Sequence, residues 1–327
     1  MSVKALFRRS WVVLALVLAA GAAQAETITV THWGGQFYGA PYAVAREKGF
    51  FKAHGVDITG FLTAPGGGTA VRNTVAGGIP FGEVSLAAAV QAINAGQKLV
   101  IVSAGAQSVG DQVWVAKAGS GIKGIADLAG KRVGYTSPNS VSNMVILMAL
   151  KAHGLTAQQV KLIPAGDLGA NLAAVTSGAV DAAFSDAMIY GQNQALVQPV
   201  FWVKDAMSPR MMQTVCITTV AYAAAHPEVV RGIIAARAEG LAYLLAHPDE
   251  AGDILARDYS NPNAALFRSE IKNLMAIDYW SDGTFDYEGM NRMIEGLQIT
   301  GQLKEAPDWA KMVDTSFLPA PGKRASR

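Results

Sequence analysis

The chain has 327 residues, of which 16% are charged, and 27 Lys and Arg stand against 25 Asp and Glu. This balance lacks the cationic surface that binding to a phosphate backbone needs, so nucleic acid is not an expected partner. The single cysteine, Cys216, excludes an intrachain disulfide and is expected to pack as a small hydrophobic residue. The low charged fraction favours a large buried core.

The N-terminus predicts a cleaved secretion signal over residues 1–25. Three basic residues precede an apolar run at 11–20, and Ala23 and Ala25 supply the small residues of a cleavage site. The alternative, a membrane anchor, needs about 20 apolar residues. Removal of the signal takes away three cations and changes the formal charge from +2 to −1. Because no cysteine stands at the cleavage site to carry a lipid, we expect a freely diffusing periplasmic protein.

The first part of the mature chain alternates strands and helices. Strands are predicted at 27–32, 56–62, 79–85 and 99–104, and helices at 38–48, after 65–69 and at 86–95. Strands separated by helices imply parallel pairing with right-handed crossovers. A further strand, 112–117, is predicted to lead out of this first lobe.

A second lobe follows with the same alternation. Strands are predicted at 132–136, 160–163 and 180–184, helices at 140–153, 171–177 and 189–197, and a returning strand at 212–220. After this strand the pattern predicts helices only, from Pro227 onward and at 249–257, 264–276 and 287–300. The predicted boundaries are 26–114 for the first part of lobe one, 115–214 for lobe two and 215–327 for the second part of lobe one. Crossings near 112–117 and 212–218 predict a two-stranded hinge.

Two stretches of the chain repeat each other at a spacing of about a hundred residues. Residues 52–55 and 151–154 both read Lys-Ala-His-Gly, and a strand after glycine follows each, at 78–85 and 178–185. A repeat of this length favours two similar α/β lobes that enclose a cleft. Chance similarity between segments rich in Ala and Gly is the alternative.

Four scaffold motifs, at 42–51, 78–82, 125–133 and 177–182, carry a resemblance to a known family. The chain resembles the periplasmic solute-binding proteins of ABC importers with the type II fold. The nearest branch takes up sulfonates, taurine, nitrate and thiamine-pyrimidine precursors. The resemblance implies an α/β fold of two lobes, each a mostly parallel sheet flanked by helices, joined by a two-stranded hinge. It also implies a monomer without chemistry or cofactor that delivers a small solute to a membrane permease and, through it, to an ATPase.

Ligands of open α/β sheets bind beyond the carboxyl ends of the strands, where helix N-termini favour anions and acceptor-rich groups. Three loops fit this description: an aromatic loop (32–38), a glycine-rich loop (66–69) and a serine-rich turn (136–140). The predicted ligand-binding residues are Trp33, Gln36, Phe37, Tyr38, Gly68, Thr69, Ser85, Gln107, Ser137, Asn139, Ser140 and Asp186.

Each loop also has a structural interpretation. The aromatic loop can be an ordinary turn with core aromatics, and the glycine-rich loop, which no Lys-Ser/Thr follows, can be a plain flexible turn. In the serine-rich turn one of Ser137, Asn139 and Ser140 must cap the next helix whatever the function, which leaves the others free to bind. Family members place a Ser/Thr-rich turn here against the anionic group of the ligand.

Two acidic residues complicate the interpretation as an anion site. Asp186 follows a predicted strand, and Glu83 lies near the end of the corresponding strand of the repeat. A carboxylate at a cleft suits an amine or another hydrogen-bond donor, although Glu83 could equally form a buried pair with Arg72 or another cation. Because no arginine falls in the candidate loops, a neutral, zwitterionic or aromatic organic solute fits better than a simple inorganic anion.

Motifs for chemistry are sparse. Only one of the five histidines, His32, is expected near the cleft, and no His or Cys spacing typical of a metal site occurs. No G-x-S-x-G supports a serine hydrolase. One rival hypothesis is an enzyme on the same fold; fungal thiamine-pyrimidine synthases resemble the family but carry a Cys-rich iron-binding stretch, which one cysteine cannot supply. The other rival is a periplasmic sensor or a receptor for a different transporter class.

Overall fold

The computed structural model describes residues 26–319, so the predicted secretion signal lies outside the described residues, as do residues 320–327. Within the described residues ten strands form two five-stranded sheets. The strands are β1 (Glu26–Val30), β2 (Ile58–Leu62), β3 (Phe81–Ser85), β4 (Leu99–Ala104), β5 (Gln112–Lys117), β6 (Arg132–Tyr135), β7 (Lys161–Pro164), β8 (Ala182–Asp186), β9 (Val197–Trp202) and β10 (Thr214–Thr219).

Helices cover both sheets, and the last third of the described chain is almost entirely helical. The helices are α1 (Ala40–Glu47), α2 (Phe50–Ala53), α3 (Gly67–Ala76), α4 (Leu86–Asn94), α5 (Val141–Ala152), α6 (Leu168–Ser177), α7 (Ala187–Gln192), α8 (Val203–Ala206), α9 (Val220–Ala225), α10 (Pro227–Ala246), α11 (Pro248–Asp258), α12 (Ala264–Ala276), α13 (Tyr287–Ile299) and α14 (Trp309–Met312). In residues 26–319 no helix is both long and apolar enough to cross a bilayer.

The two sheets have equivalent strand orders. The first is ordered β2-β1-β3-β10-β4, and the second β7-β6-β8-β5-β9. In each sheet three strands run parallel, and the fourth strand in the order is antiparallel to both of its neighbours. Two sheets that share one topology explain the sequence repeat and confirm the predicted α/β fold of two lobes.

The chain passes between the lobes twice, and the two crossing segments pair with each other. The backbone N–H of Gln213 donates to Ala106 at 2.7 Å, and that of Val109 donates to Pro209 at 2.8 Å. Strand β5, predicted to lead out of the first lobe, pairs along its length with β8 and β9 in the second sheet. The domain boundaries given above stay predictions.

The prediction at the end of the second lobe was wrong in one respect. A helix was predicted at 189–197, but α7 ends at Gln192, and the chain forms strand β9 from Val197 onward. Pro199 lies within β9 and weakens a sequence-based strand assignment, because proline removes a ladder donor. Proline is tolerated here because β9 is an edge strand.

Close helix packing holds α10 against α1 of the first lobe. Helix α10 crosses α1 so closely that a Cβ atom on Gly240 would stand 2.2 Å from the backbone oxygen of Pro41. Only glycine allows this approach without displacing one helix. In the chain, α1 is followed by α2 and then by β2 of the first sheet. The packing of α10 on α1 therefore positions this sheet and the loops at its carboxyl edge.

Candidate functional site

The loops at the carboxyl edges of the two sheets face each other, and the lobes touch there. At the end of β3, Ser85 Oγ donates to the backbone oxygen of Asn139 at 2.9 Å. Ser137 Oγ donates to the backbone oxygen of Pro65 at 3.3 Å. Both hydrogen bonds join the first lobe to the second. The structure therefore brings together the glycine-rich loop, the end of β3 and the serine-rich turn.

Gly67, at the start of α3, is the point of closest approach in the glycine-rich loop. It has a φ of +56°, and a Cβ atom there would stand 2.4 Å from the backbone oxygen of Pro138. A Cβ on Gly68 would meet only the end of the Arg72 side chain, at 3.3 Å from its Nη1. Arg72 also donates to Thr69 Oγ1 at 2.8 Å, within the same loop. Closure of the lobes therefore depends on glycine at 67 and not at 68.

The serine-rich turn divides into a structural part and a part that faces the first lobe. Ser140 caps α5, because its Oγ accepts from the backbone N–H of Asn143 at 3.2 Å. Ser142 Oγ accepts from the backbone N–H of Thr136 at 2.9 Å and so braces the turn. Asn139 has a φ of +60°, and its Oδ1 is buried without a partner among the described residues. Asn139, unlike Ser140, keeps a free acceptor.

Two aromatic side chains of the aromatic loop pack inside the first lobe. The ring centroid of Trp33 lies 4.3 Å from that of Phe61 and 5.2 Å from that of Tyr259. The ring of Phe37 lies 5.4 Å from that of Phe267 on α12. These contacts match the structural interpretation that the sequence left open for the aromatic loop.

Tyr38 points instead toward the crossing segments. Its hydroxyl donates to Oε1 of Gln213 at 2.7 Å, and its ring stacks on Tyr279 with centroids 5.9 Å apart and planes 11° from parallel. Gln112 Nε2 donates to the same oxygen of Gln213 at 2.9 Å. Tyr38 therefore belongs to a buried polar network that includes the first residue of β5 and the residue before β10.

Two predicted glutamines, Gln36 and Gln107, have different surroundings. Gln36 is buried, its backbone oxygen accepts from Tyr259 Oη at 2.5 Å, and its Oε1 has no partner within residues 26–319. Gln107 lies on the first crossing segment, where its Nε2 donates to the backbone oxygen of Trp280 at 3.4 Å. Gln107 therefore lies at the hinge.

The imidazole of His32 lies beside the glycine-rich loop, since a Cβ atom on Gly66 would stand 2.9 Å from its Nε2. His32 adopts a φ of +53°, and its ring centroid lies 6.3 Å from that of Tyr38. Burial lowers the pKa of His32 to about 4, and the negative charge of Asp167, which caps α6 in the second lobe, opposes this shift. The imidazole is therefore neutral near pH 7.

Asp186 lies at the junction of β8 and α7, close to two other carboxyl groups. Its Oδ1 accepts from the backbone N–H of Ile189 at 2.8 Å and caps α7. Burial, with a smaller contribution from the charge of Glu270, raises the pKa of Asp186 to about 7, and the hydrogen bond from the backbone N–H of Ile189 opposes this shift. Burial also raises the pKa of Glu270, and raises that of Asp111 well above its ordinary value. The structure thus adds Asp111 and Glu270 to the predicted site.

The sequence holds a signal for Asp111 but none for Glu270. Strand β5 is antiparallel, so it begins at the edge where β6 and β8 end, and Gln112 is the register partner of Asp186. Residues just before a central antiparallel strand therefore lie at the same edge of the sheet as residues just after the neighbouring parallel strands. Glu270 reaches the same place only through the packing of α12 on the first lobe, which sequence spacing does not reveal.

Glu83 has a structural partner. Arg237 Nε donates to Glu83 Oε2 at 3.1 Å, both side chains are at most 1% exposed, and Thr214 Oγ1 donates to the other carboxylate oxygen at 2.6 Å. The partner is thus Arg237 on α10 and not Arg72. A buried, neutralised pair of this kind has no free acceptor for a solute.

With this geometry described, comparison with known proteins becomes informative. The family model described as NMT1/THI5 like matches residues 36–251, well over half of the chain. The chain belongs to the NMT1/THI5-like family. The resemblance derived from the scaffold motifs is thereby confirmed.

Relatives of this NMT1/THI5-like chain include binding proteins by name. A Brucella abortus (strain 2308) protein named "Putative binding protein" is 27% identical over 270 residues, which cover 80% of each chain. The alkanesulfonate-binding protein SsuA from Xanthomonas axonopodis pv. citri, bound to MOPS, has a TM-score of 0.72 at 16% identity and covers 90% of this chain and 100% of its own. The periplasmic aliphatic sulphonate binding protein SsuA from Escherichia coli has a TM-score of 0.67 at 19% identity, with coverage of 88% and 97%.

The fold of the NMT1/THI5-like chain is also that of an enzyme. The desulfurization enzyme DszB has a TM-score of 0.59 at 17% identity and covers 89% of this chain and 97% of its own. At these identities the structural neighbours establish the fold alone, so function must be argued from the site.

Proposed function

We propose that this chain is the periplasmic solute-binding component of an ABC importer, exported by residues 1–25, without a lipid anchor and as a monomer. It captures a small organic solute between its two lobes and delivers it to a membrane permease, which couples to an ATPase. Family membership, the names of the relatives and the shared two-lobed fold support this proposal.

The observation that carries the proposal is the contact between the two lobes at their loop edges. Ser85 and Ser137 each form one hydrogen bond across the lobes, and Gly67 admits the backbone of the opposite turn. The chain itself joins the lobes through two crossing segments. Hydrogen bonds at a loop edge, opposite a two-segment hinge, suit a device that opens and closes around a solute.

We propose that the protein performs no chemistry on this solute. Cys216 is its single thiol, and this thiol is fully buried in β10, 3.2 Å from the hydroxyl of Tyr42. Burial raises the pKa of Cys216 to about 12, so the thiolate that a cysteine nucleophile requires is not populated near neutral pH. The site at the loop edges therefore suits capture and release.

The test is a thermal-shift screen of the purified mature protein against alkanesulfonates including MOPS, primary amines, amidines and nitrogen heterocycles. A solute that binds only the folded state at a hundredfold excess over Kd adds about 2.7 kcal/mol to stability. We expect at least one class to raise Tm while proton NMR shows the solute unchanged. Turnover of the stabilising solute by the protein alone would favour the enzyme hypothesis instead.

The role of closure is tested with a matched pair of glycine variants. Gly67→Ala introduces a methyl group 2.4 Å from the backbone oxygen of Pro138, whereas Gly68→Ala meets only the end of the Arg72 side chain, at 3.3 Å. We expect Gly67→Ala to lose more than tenfold in affinity for any solute found in the screen, and Gly68→Ala to bind like the wild type. Equal affinity in both variants would show that the solute does not depend on this contact.

A further inference from the structure

Three carboxyl groups meet where the second lobe faces α12 of the first lobe. Asp111 stands just before β5, Asp186 ends β8, and Glu270 lies on α12. Asp186 and Glu270 are 4% and 6% exposed, and Oδ1 of Asp111 is buried without a partner among the described residues. The charges of Asp186 and Glu270 act on Asp111, and that of Glu270 acts on Asp186, so the three groups are electrostatic neighbours.

This acidic cluster is not neutralised by a cation from the part of the chain that the structure describes. Among residues 26–319, the groups that shift the pKa values of Asp111, Asp186 and Glu270 include no Lys, Arg or His. The three carboxyl groups also do not form a metal-binding group, since the described residues contain none. None of the ion pairs among the described residues includes Asp111, Asp186 or Glu270, whereas Glu83 is paired with Arg237.

An independent observation comes from Gln112, which is fully buried at the start of β5. Gln213 Nε2 donates to the backbone oxygen of Ser108, which can only accept, so the amide orientation of Gln213 is fixed. Its Oε1 must then accept from Gln112 Nε2, at 2.9 Å. Gln112 is left with Oε1 free, and this oxygen has no partner among the described residues.

This free oxygen lies beside the acidic cluster. Gln112 and Asp186 are register partners across the antiparallel pair of β5 and β8, so their side chains share one face of the sheet. Tyr38, bonded to the same Gln213, feels the charges of both Asp111 and Asp186. The unsatisfied groups at this place are all acceptors: a carboxylate oxygen of Asp111 and the amide oxygen of Gln112.

We propose that Asp111, Gln112, Asp186 and Glu270 form a subsite for the ammonium or amidinium head of the solute, a role that rests on the proposed function. Buried acceptors without donors are costly, and a group with several N–H donors and a positive charge satisfies amide and carboxylate oxygens together. Tyr38 and Tyr279, whose rings stack on each other and are both buried, lie within the influence of the charges of Asp111 and Asp186.

The subsite also links solute charge to closure. Glu270 belongs to the first lobe, whereas Asp111 and Asp186 belong to the second, so ionised carboxylates repel across the cleft. A bound cation removes this repulsion and holds the lobes together. The titratable groups that face Asp186 from neighbouring elements are Asp111, Glu270, Tyr38 and Tyr279.

Protonation gives the test a definite sign. The carboxyl groups must lose their protons to bind a cation, so cation affinity rises between pH 5.5 and pH 8, whereas anion affinity falls over the same range. The matched aromatic probes are cationic benzamidine, anionic benzenesulfonate and neutral benzamide. The two charged probes keep their charge between pH 5.5 and pH 8, so a change in affinity reports on the protein. A series of primary amines from methylamine to phenethylamine extends the cation arm.

The measurement is solute-induced Tm shift and calorimetry with the full mature chain at both pH values. We expect at least one cation of the series to bind at least tenfold tighter at pH 8 than at pH 5.5 and to release protons, seen as a heat that depends on the ionisation enthalpy of the buffer. Asp111→Asn and Glu270→Gln should each weaken cation binding about tenfold or more at pH 8. The control is Asp308→Asn, which removes one negative charge from an exposed side chain outside the subsite and should bind like the wild type.

Failure of this inference is distinguishable from failure of the proposed function. If no cation of the series binds, or if binding is insensitive to Asp111→Asn and Glu270→Gln, the subsite is wrong. Stabilisation by benzenesulfonate, benzamide or another solute class under those same conditions would leave the proposed function standing. If no solute of any class stabilises the protein, both proposals fall.

Discussion

Buried carboxylates in the two lobes have opposite surroundings. In the first lobe Glu83 lies within β3, and its two oxygens accept from Arg237 and Thr214. In the second lobe Asp186 lies at the end of β8, the equivalent strand, where the described residues place Asp111 and Glu270 near it and pair it with no cation. One fold thus carries a neutralised carboxylate in one lobe and an unneutralised carboxylate in the other.

The difference separates structure from function in physical terms. A buried ion pair with all acceptors satisfied holds β3 to α10 but has nothing to offer a solute. Buried carboxyl groups without a cation hold their protons, and their ionisation lowers the stability of the folded protein. A cationic solute that binds there would favour release of these protons. A destabilising carboxyl group at Asp186, where the equivalent strand has a neutralised one at Glu83, is typical of a functional site.

The largest expected effect comes from breaking the paired site. Arg237→Met leaves Glu83 buried without its cation, and loss of one partner of a buried pair costs about 3–5 kcal/mol. The double variant Glu83→Gln with Arg237→Met removes both charges and should recover most of that loss. Urea unfolding measures both variants. Equal destabilisation of the single and double variants would show that packing around Arg237, and not its charge, holds β3 to α10.

The opposite result is expected at the unpaired site. The pKa of Asp186 rises from 3.8 to about 7 in the folded protein, so the folded state holds this proton more tightly than the unfolded state. The contribution of Asp186 to stability is therefore greatest at low pH and is lost as pH rises from about 4 through 7. Asp186→Asn keeps a capping oxygen for α7 but cannot ionise, and should stabilise the protein at pH 8 by about 1–4 kcal/mol.

The control for this prediction is the same measurement at low pH. At pH 4 the wild-type carboxyl is protonated in the folded state, so Asp186→Asn should change the free energy of unfolding by little. A stabilisation of equal size at both pH values would contradict the assigned cause, because it would not follow ionisation of Asp186.

The fold was accessible to sequence analysis because its signals are local or periodic. The repeat at 52–55 and 151–154 predicted two similar lobes, and the equivalent strand orders of the two sheets confirm it. Strand β9 was missed because Pro199 opposes a strand locally, whereas its place at the edge of the sheet makes proline acceptable. Local rules cannot supply that tertiary context.

The site was less accessible, because its parts are distant in sequence. Asp186 follows a strand and was singled out, but Glu270 lies 84 residues further along and reaches it only through the packing of α12. Likewise the partner of Glu83 is Arg237, 154 residues away, and not the nearby Arg72. Which carboxylate is neutralised and which is not depends on long-range packing that residue spacing does not encode.

A smaller effect is expected on the acid side, at His32 of the first lobe. Burial lowers its pKa from 6.5 to about 4, so the unfolded state takes up the proton first, and the contribution of His32 to stability is lost as pH drops from 6.5 toward 4. His32→Gln should reduce this loss by about 1–2 kcal/mol. The effect is small because the His32 side chain is partly exposed and the charge of Asp167 opposes the pKa shift. The free energy of unfolding at pH 4.5 and pH 7.5 tests this prediction. An equal loss of stability between these pH values in the wild type and in His32→Gln would contradict it.

The smallest effect concerns two serines that correspond in the repeat. Ser85 Oγ donates across the lobes to Asn139, whereas Ser185 Oγ donates to the carbonyl of the next residue in its own lobe, at 3.5 Å. Ser85→Ala removes one hydrogen bond that joins the lobes in this structure, worth about 1 kcal/mol or roughly fivefold in the closing equilibrium. Small-angle scattering should therefore show a larger radius of gyration for Ser85→Ala than for the wild type. Ser185→Ala is the matched control with no bond between the lobes. Equal expansion in both variants would mean that the contact at Ser85 does not bias closure, and that other packing between the lobes, such as that of α13 on α5, holds them instead.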